Sequence, residues 1–266
     1  MNFVFFGTPD VAEETLEILK ESGFLPSLIV TSPDKPQGRK MLITPPPVKV
    51  WAIENNIPYI QPEKIKGGDL KNNFDLAIVV AYGKLLSEEI INTPKLGSIN
   101  IHYSLLPKYR GASPVESAIL NGETETGVTI QRMEYKMDSG AILAQEETKI
   151  GENETAPELR HRLIKIGGEL LVKILPEFVD GKIKPVPQNE SLASVCKKIK
   201  KEDGLISLTD DSVKNYNKFR AYATWPRTFF FKNGKRIIIT DAALENEKFV
   251  IKKVIPEGGK EIDYKI

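Results

Sequence analysis

The sequence predicts an α/β protein built on a doubly wound, mostly parallel sheet, followed by a small β-rich C-terminal module. Three observations carry that reading. The chain opens as strand, Gly7 and helix: residues 2–6 are apolar, and after Gly7 a stripe of Ala12, Leu16, Ile18 and Leu19 opposes Glu13, Glu14, Glu17 and Glu21. Residues 75–82 contain a near-continuous apolar run, the pattern of a central parallel strand covered on both faces. Near the C-terminus, Phe229, Phe230 and Phe231 and then Ile237, Ile238 and Ile239 flank Asn233-Gly234, the strongest local hairpin signal.

Taken in order, Thr8-Pro9 predicts a hydroxyl N-cap before a Pro at the first helical position. The opening lacks G-x-G-x-x-G, so no dinucleotide site is inferred. A strand over residues 25–31 leads into residues 32–47, whose Pro and Gly content predicts a long loop. Loops beyond about 12–15 residues are usually functional or disordered. Lys35, Arg39 and Lys40 make this one basic, and its place inside a domain favours a binding loop. A helix over residues 48–55 and a short strand at Tyr59-Ile60 follow. The central strand then ends in Tyr82-Gly83-Lys84-Leu85, a candidate pocket loop.

Residues 98–115 form the stretch that organises the rest. Strand alternation sends Ile99, Ile101 and Tyr103 to one face and Asn100, His102 and Ser104 to the other. Pro107 ends the strand, and Ser113-Pro114 starts a helix that runs to Asn121-Gly122. Because the stretch follows the most apolar strand, it belongs inside the sheet, and polar groups at the carboxyl end of such a strand sit where open α/β sheets bind ligands. Asn100 and His102 are therefore candidate catalytic residues; the plain alternative is the solvent face of an edge strand. Strands over 127–133 and 142–150 flank a turn holding Asp138, which either caps backbone N–H groups or carries a carboxylate to His102. A long amphipathic helix covers 155–179. The division expected is a catalytic domain at 1–188, a linker at 189–204 and a β-rich domain at 205–266, the last with a helix over 213–222 and a strand over 249–255.

Composition bounds the class. The 266 residues are 41% apolar and 27% charged, ordinary for a soluble globular protein. No run of about 18 apolar residues predicts a transmembrane helix, and the N-terminus has no basic segment of a signal peptide. The single Cys196 excludes an internal disulfide, fits a reducing cytoplasm and reads as a packed thiol. Charge is uneven: 21 Lys/Arg stand against 26 Asp/Glu through residue 194, and 16 against 10 beyond it. A basic tail on an acidic body suits a polyanionic partner as well as it suits an ordinary Lys-rich surface.

Asn100-x-His102-x-Ser104-Leu-Leu-Pro107, with Asp138 downstream, resembles the active-site signature of the 10-formyltetrahydrofolate-dependent formyltransferases. Ser32-Pro-Asp-Lys-Pro-x-Gly-Arg39, Tyr109-Arg-Gly-Ala-Ser-Pro, Glu125-Thr-Gly-Val-Thr-Ile and Lys201-Glu-Asp-Gly204 are similar to the branch that acts on methionyl-tRNA. The likeness runs from Met1 to about Gly234 and returns near Ile255-Pro-Glu-Gly. It implies a Rossmann-like formyltransferase domain, a C-terminal oligonucleotide-binding-type (OB-like) barrel, and a cytoplasmic enzyme of translation initiation, with a monomer expected. The implied substrates are 10-formyltetrahydrofolate and initiator methionyl-tRNA, with no metal and no membrane. Asn100, His102 and Asp138 fall on the family's catalytic positions. Ser104, Leu105, Leu106 and Pro107, with Tyr82, Gly83 and Leu85, would line the folate site, and Lys35, Arg39 and Lys40 would meet the acceptor end of the tRNA.

One departure stands out: residues 242–255 are too few for the remaining strands of a closed five-stranded barrel, so an abbreviated OB-like module is expected. Two further functions fit the same residues, formylation of an amino-sugar nucleotide and a non-catalytic RNA-binding module. A hydrolase built on Ser104 is disfavoured, since Ser104 shares a strand with His102 and no G-x-S-x-G surrounds it.

Overall fold

The computed structural model describes residues 1–38, 41–70 and 73–265. In chain order its elements are β1 (Phe3–Gly7), α1 (Asp10–Glu21), β2 (Leu28–Val30), β3 (Lys35–Gln37), β4 (Leu42–Thr44), α2 (Pro47–Glu54), β5 (Tyr59–Ile60), β6 (Leu76–Val80) and α3 (Glu88–Asn92). Then come β7 (Ser98–His102), β8 (Arg110–Gly111), α4 (Pro114–Leu120), β9 (Glu125–Arg132), β10 (Ile142–Lys149) and α5 (Ala156–Val179). The last are β11 (Val195–Cys196), α6 (Ser212–Ala221), β12 (Phe229–Lys232), β13 (Lys235–Glu245), β14 (Lys248–Pro256) and β15 (Ile262–Asp263). The chain groups into two compact units: residues 1–108, 127–146 and 162–193 form one, and 109–126, 147–161 and 194–266 the other.

The first unit is organised by a seven-stranded sheet in the order β10-β9-β7-β6-β1-β2-β5. β1, β2, β5, β6 and β7 are parallel, and β9 runs antiparallel to β7. Every residue of β1 and β6 is buried, which explains why both read as unbroken apolar runs. Burying Phe3, Phe5 and Phe6 removes three large side chains from water, each worth about 1.5–3 kcal/mol. The expected inner position of β7 holds, since it lies between β6 and β9.

Two local expectations fail for physical reasons. Thr8 does not cap α1; Pro9 takes that position without a side-chain hydrogen bond, and the Thr8 hydroxyl donates instead to the carbonyl of Tyr82 at 3.0 Å. Residues 32–47 are not all loop. β3 and β4 pair antiparallel through Lys35–Thr44, Pro36–Ile43 and Gln37–Leu42, an isolated two-stranded ribbon in which Pro36 is tolerated because it has no inner ladder to break.

In the second unit a four-stranded antiparallel sheet follows the order β12-β13-β14-β15. Its core is Ile206, Phe230, Ile237, Ile239, Ala242 and Val254, and α6 packs on β13 and β14. The linear order makes this an open sheet, in line with the shortened tail. The hairpin between β12 and β13 turns at Asn233 (φ 53°) and Gly234 (φ 75°), both in the left-handed region that a two-residue primed turn requires. Cys196 is a packed thiol: it is buried, and its sulfur lies 3.3 Å from the Tyr109 carbonyl oxygen.

Candidate active site

The sheet order reverses between β1 and β6, and ligands of open α/β sheets bind at the carboxyl ends of strands beside such a reversal. The segments that leave β1, β2 and β6 there are tied together. Thr8 Oγ1 lies 3.0 Å from the Tyr82 carbonyl and 3.2 Å from Ser32 Oγ. β7, next to β6, brings Asn100 and His102 to this end on one face.

Asp138 reaches the same place from the turn after β9. Its Oδ2 lies 3.7 Å from Nδ1 of His102, with the imidazole buried and the carboxylate 15% exposed. The other carboxylate oxygen accepts a 3.0 Å hydrogen bond from Nε2 of Gln131. Gln131 stands directly opposite Asn100 in the β7–β9 register and is buried. Asp138 itself has φ 51°, and Nε2 of Gln188 donates to its carbonyl (2.9 Å) and to that of Gly140 (2.7 Å). The structure thus sets the Asp138 carboxylate facing the His102 imidazole, with Asn100 two residues before His102 on β7.

The segment after β7 is pinned by one saturated hydroxyl. Thr129 Oγ1 donates to the Ser104 carbonyl at 2.6 Å and accepts from the Leu106 N–H at 3.0 Å and from Gln145 Nε2 at 2.8 Å, the full complement of one donor and two acceptors. Gln145 also donates to the Leu106 carbonyl at 2.8 Å. Ser104 is buried, and its hydroxyl donates to the Lys108 carbonyl at 2.6 Å. Of the other candidate folate contacts, Leu105 and Pro107 are half-buried, Gly83 is exposed and Leu85 is 82% exposed. Tyr82 is buried, its phenol oxygen has no hydrogen-bond partner among the described residues, and burial pushes its ionisation above the ordinary tyrosine range.

Lys35 lies exposed on β3, while Arg39 and Lys40 fall outside the described residues. Beside Lys35, Asp34 accepts hydrogen bonds from Gln61 Nε2 (2.7 Å) and from Lys49 Nζ (2.7 and 2.9 Å), and these donors hold its carboxyl below the usual range. Met41, Leu42 and Ile43 project from the same ribbon into solvent. Among the described residues no group of three or more His, Cys, Asp or Glu is placed to hold a metal ion.

Four residues of this arrangement escape a reading of the sequence: Thr129, Gln131, Gln145 and Gln188. The buried polar alternation of Thr129 and Gln131 along β9 was their one available signal, because a strand face that looks into a core is otherwise apolar. Gln188 sits in a Pro-rich stretch whose local pattern says only linker.

Comparison with known proteins gives a consistent picture. The formyl transferase family matches residues 1–175, and the formyl transferase C-terminal domain matches residues 198–264. A methionyl-tRNA formyltransferase of Caldicellulosiruptor saccharolyticus is 41% identical over 256 residues, covering 92% of this chain and 82% of the relative. One from Staphylococcus aureus (strain JH1) is 39% identical over 246 residues, covering 91% and 79%. Among solved structures, an N-formyltransferase from Helicobacter canadensis in complex with folinic acid and dTDP-3-aminofucose superposes with a TM-score of 0.74 at 21% identity, over 100% of both chains. A methionyl-tRNA formyltransferase from Clostridium thermocellum superposes at 0.65 with 18% identity, over 99% of this chain and 100% of that one. At these identities the solved structures speak to the fold alone.

Proposed function

The chain belongs to the formyl transferase family, and from that membership we propose that it transfers a formyl group from 10-formyltetrahydrofolate to the α-amine of methionyl-initiator tRNA in the cytoplasm. The approach of Asp138 to His102 at 3.7 Å is the observation that carries the reaction class. The likeness to methionyl-tRNA formyltransferases along nine-tenths of the chain supports the acceptor.

The folate supplies a formyl group whose carbon is open to attack. We assign the folate to the segments that follow β6 and β7, where Tyr82, Gly83 and Leu85 and residues Ser104, Leu105, Leu106 and Pro107 lie. The exposed Leu85 side chain suits a flat aromatic ligand. As the amine bonds to the formyl carbon, negative charge grows on the formyl oxygen. The Asn100 amide N–H is the donor for that charge, and removing such a donor typically costs about 2.7–4 kcal/mol of barrier. With Asp138 facing Nδ1, His102 keeps its proton on that nitrogen and presents Nε2 as the base that takes the amine's proton. The resulting imidazolium is stabilised by Asp138 and becomes the acid for the departing nitrogen. Lys35, Arg39 and Lys40 contact phosphates of the acceptor end.

A formyl-transfer assay with charged initiator tRNA, run beside an amino-sugar nucleotide, tests the proposal. Turnover of the tRNA and none of the sugar is expected; the reverse pattern transfers the assignment to the sugar. Apparent tRNA affinity should fall steeply with salt while folate affinity does not, because only the first involves counterion release.

A further inference from the structure

Gln131 plays no part in the chemistry just described, yet it is a buried amide placed across the strand pair from Asn100 and bonded to Asp138. A side chain that is 2% exposed must have its polar atoms satisfied, and the way they are satisfied is directional. Nε2 of Gln131 points at Oδ1 of Asp138 at 3.0 Å, leaving Oδ2 as the oxygen that faces His102. Its own Oε1 lies 3.4 Å from Nε2 of Gln188. Gln188 has two protons on that nitrogen, committed to the carbonyls of Asp138 and Gly140, and the longer third contact faces an acceptor. A flipped Gln131 amide would set N–H₂ against N–H₂ at Gln188 and oxygen against carboxylate at Asp138, so one orientation is selected. Gln188 also holds the backbone of the turn, where Asp138 adopts the left-handed conformation.

We propose that Gln131 is a positioning residue for formyl transfer: oriented by Gln188, it anchors one oxygen of Asp138 so that the other is aimed at His102. The inference rests on the reading of Asp138 given above, and the experiment separates the two. Steady-state kcat and KM for both substrates are measured for Gln131→Met, Asp138→Asn and the double variant. Met matches Gln in volume and removes the donor. A fall in kcat on the order of ten- to a hundredfold is expected for Gln131→Met, the scale of a catalytic group misplaced by about 1 Å, with both KM values within about twofold.

Because Gln131 acts through the carboxylate, its loss should add nothing once that carboxylate is gone. The double variant is therefore expected to match Asp138→Asn within about twofold. Additive losses, or an effect on KM alone, would mean that Gln131 is merely structural and would overturn the inference. Wild-type kcat in Gln131→Met beside a crippled Asp138→Asn overturns it while sparing the reading of Asp138; wild-type kcat in Asp138→Asn overturns both. Gln131→Glu, equal in length with an acceptor where the donor was, guards against a misfolded Met variant. It is expected to lose at least as much kcat, and wild-type activity there also refutes the inference.

Discussion

Oδ2 of Asp138 and Nδ1 of His102 are 3.7 Å apart, too far for a hydrogen bond and close enough for an ion pair once the ring is charged. Catalytic hydrogen bonds of this kind commonly tighten only when substrate is bound. Two unit charges about 4 Å apart attract by about 4 kcal/mol at an effective dielectric near 20. Asp138→Asn keeps the shape and removes that attraction. Its kcat is expected to fall on the order of a hundredfold or more, with the folate dissociation constant within about threefold, measured by single-turnover formylation and equilibrium binding. An unchanged kcat would remove the carboxylate from the mechanism.

Ser104 has a different task. Its hydroxyl is buried and committed to the Lys108 carbonyl at 2.6 Å, inside the segment that Thr129 and Gln145 hold. Ser104→Ala should therefore cost about 0.5–1.5 kcal/mol of stability, the usual net worth of one intramolecular hydrogen bond. Its kcat should stay within about threefold of wild type. Urea unfolding and steady-state kinetics on the same preparation check both. A variant as stable as wild type but without activity would give the Ser104 hydroxyl a part in the chemistry instead.

What the sequence revealed and what it hid divide along a physical line. β1 and β6 were legible because strands covered on both faces must be apolar throughout, and Asn233-Gly234 because only such a pair tolerates two successive left-handed residues. His102 was legible because a charge-capable side chain on an inner strand needs a reason. The β3–β4 ribbon was hidden: its Pro and Gly content is that of a loop, and a two-stranded ribbon buries too little to leave an apolar alternation. Thr8 was misread because a hydroxyl before a helix caps it by default, and only the folded sheet offers it the Tyr82 carbonyl. Gln188 was invisible for the same reason. Its partners lie about 50 residues away in sequence, and nothing local records them.

Gly140 tests whether the Asp138 turn can be moved without touching the carboxylate. A Cβ built on Gly140 runs into the backbone carbonyl of Arg132, and backbone has nowhere to retreat inside a paired strand. Gly140→Ala should displace the turn two residues from Asp138, lowering kcat by about tenfold or more and lowering the thermal midpoint. Gly68→Ala is the control, since its added methyl meets open space. Equal activity in the two variants would show that the turn tolerates displacement.

The ribbon beside Lys35 is held at its base by a titratable anchor, so its stability should depend on acid. Asp34 accepts from Gln61 and Lys49, and its carboxyl lies below the ordinary value of 3.8, with Gln61 the larger cause and Lys49 the second. A carboxyl more acidic in the folded chain than in the unfolded one stabilises the fold fully above the unfolded value. That contribution is lost as pH falls through the folded value, because in this window the unfolded chain binds more protons. From about pH 5 down to pH 2, wild type should therefore lose more stability than Asp34→Asn, and the two should converge at the acid end. Urea midpoints across that range read the difference. Near neutral pH, where the anchor is intact in wild type, Asp34→Asn should weaken tRNA binding while the KM for folate stays within about twofold. Parallel stability curves would mean that Gln61 and Lys49 hold the neutral side chain as firmly as the carboxylate.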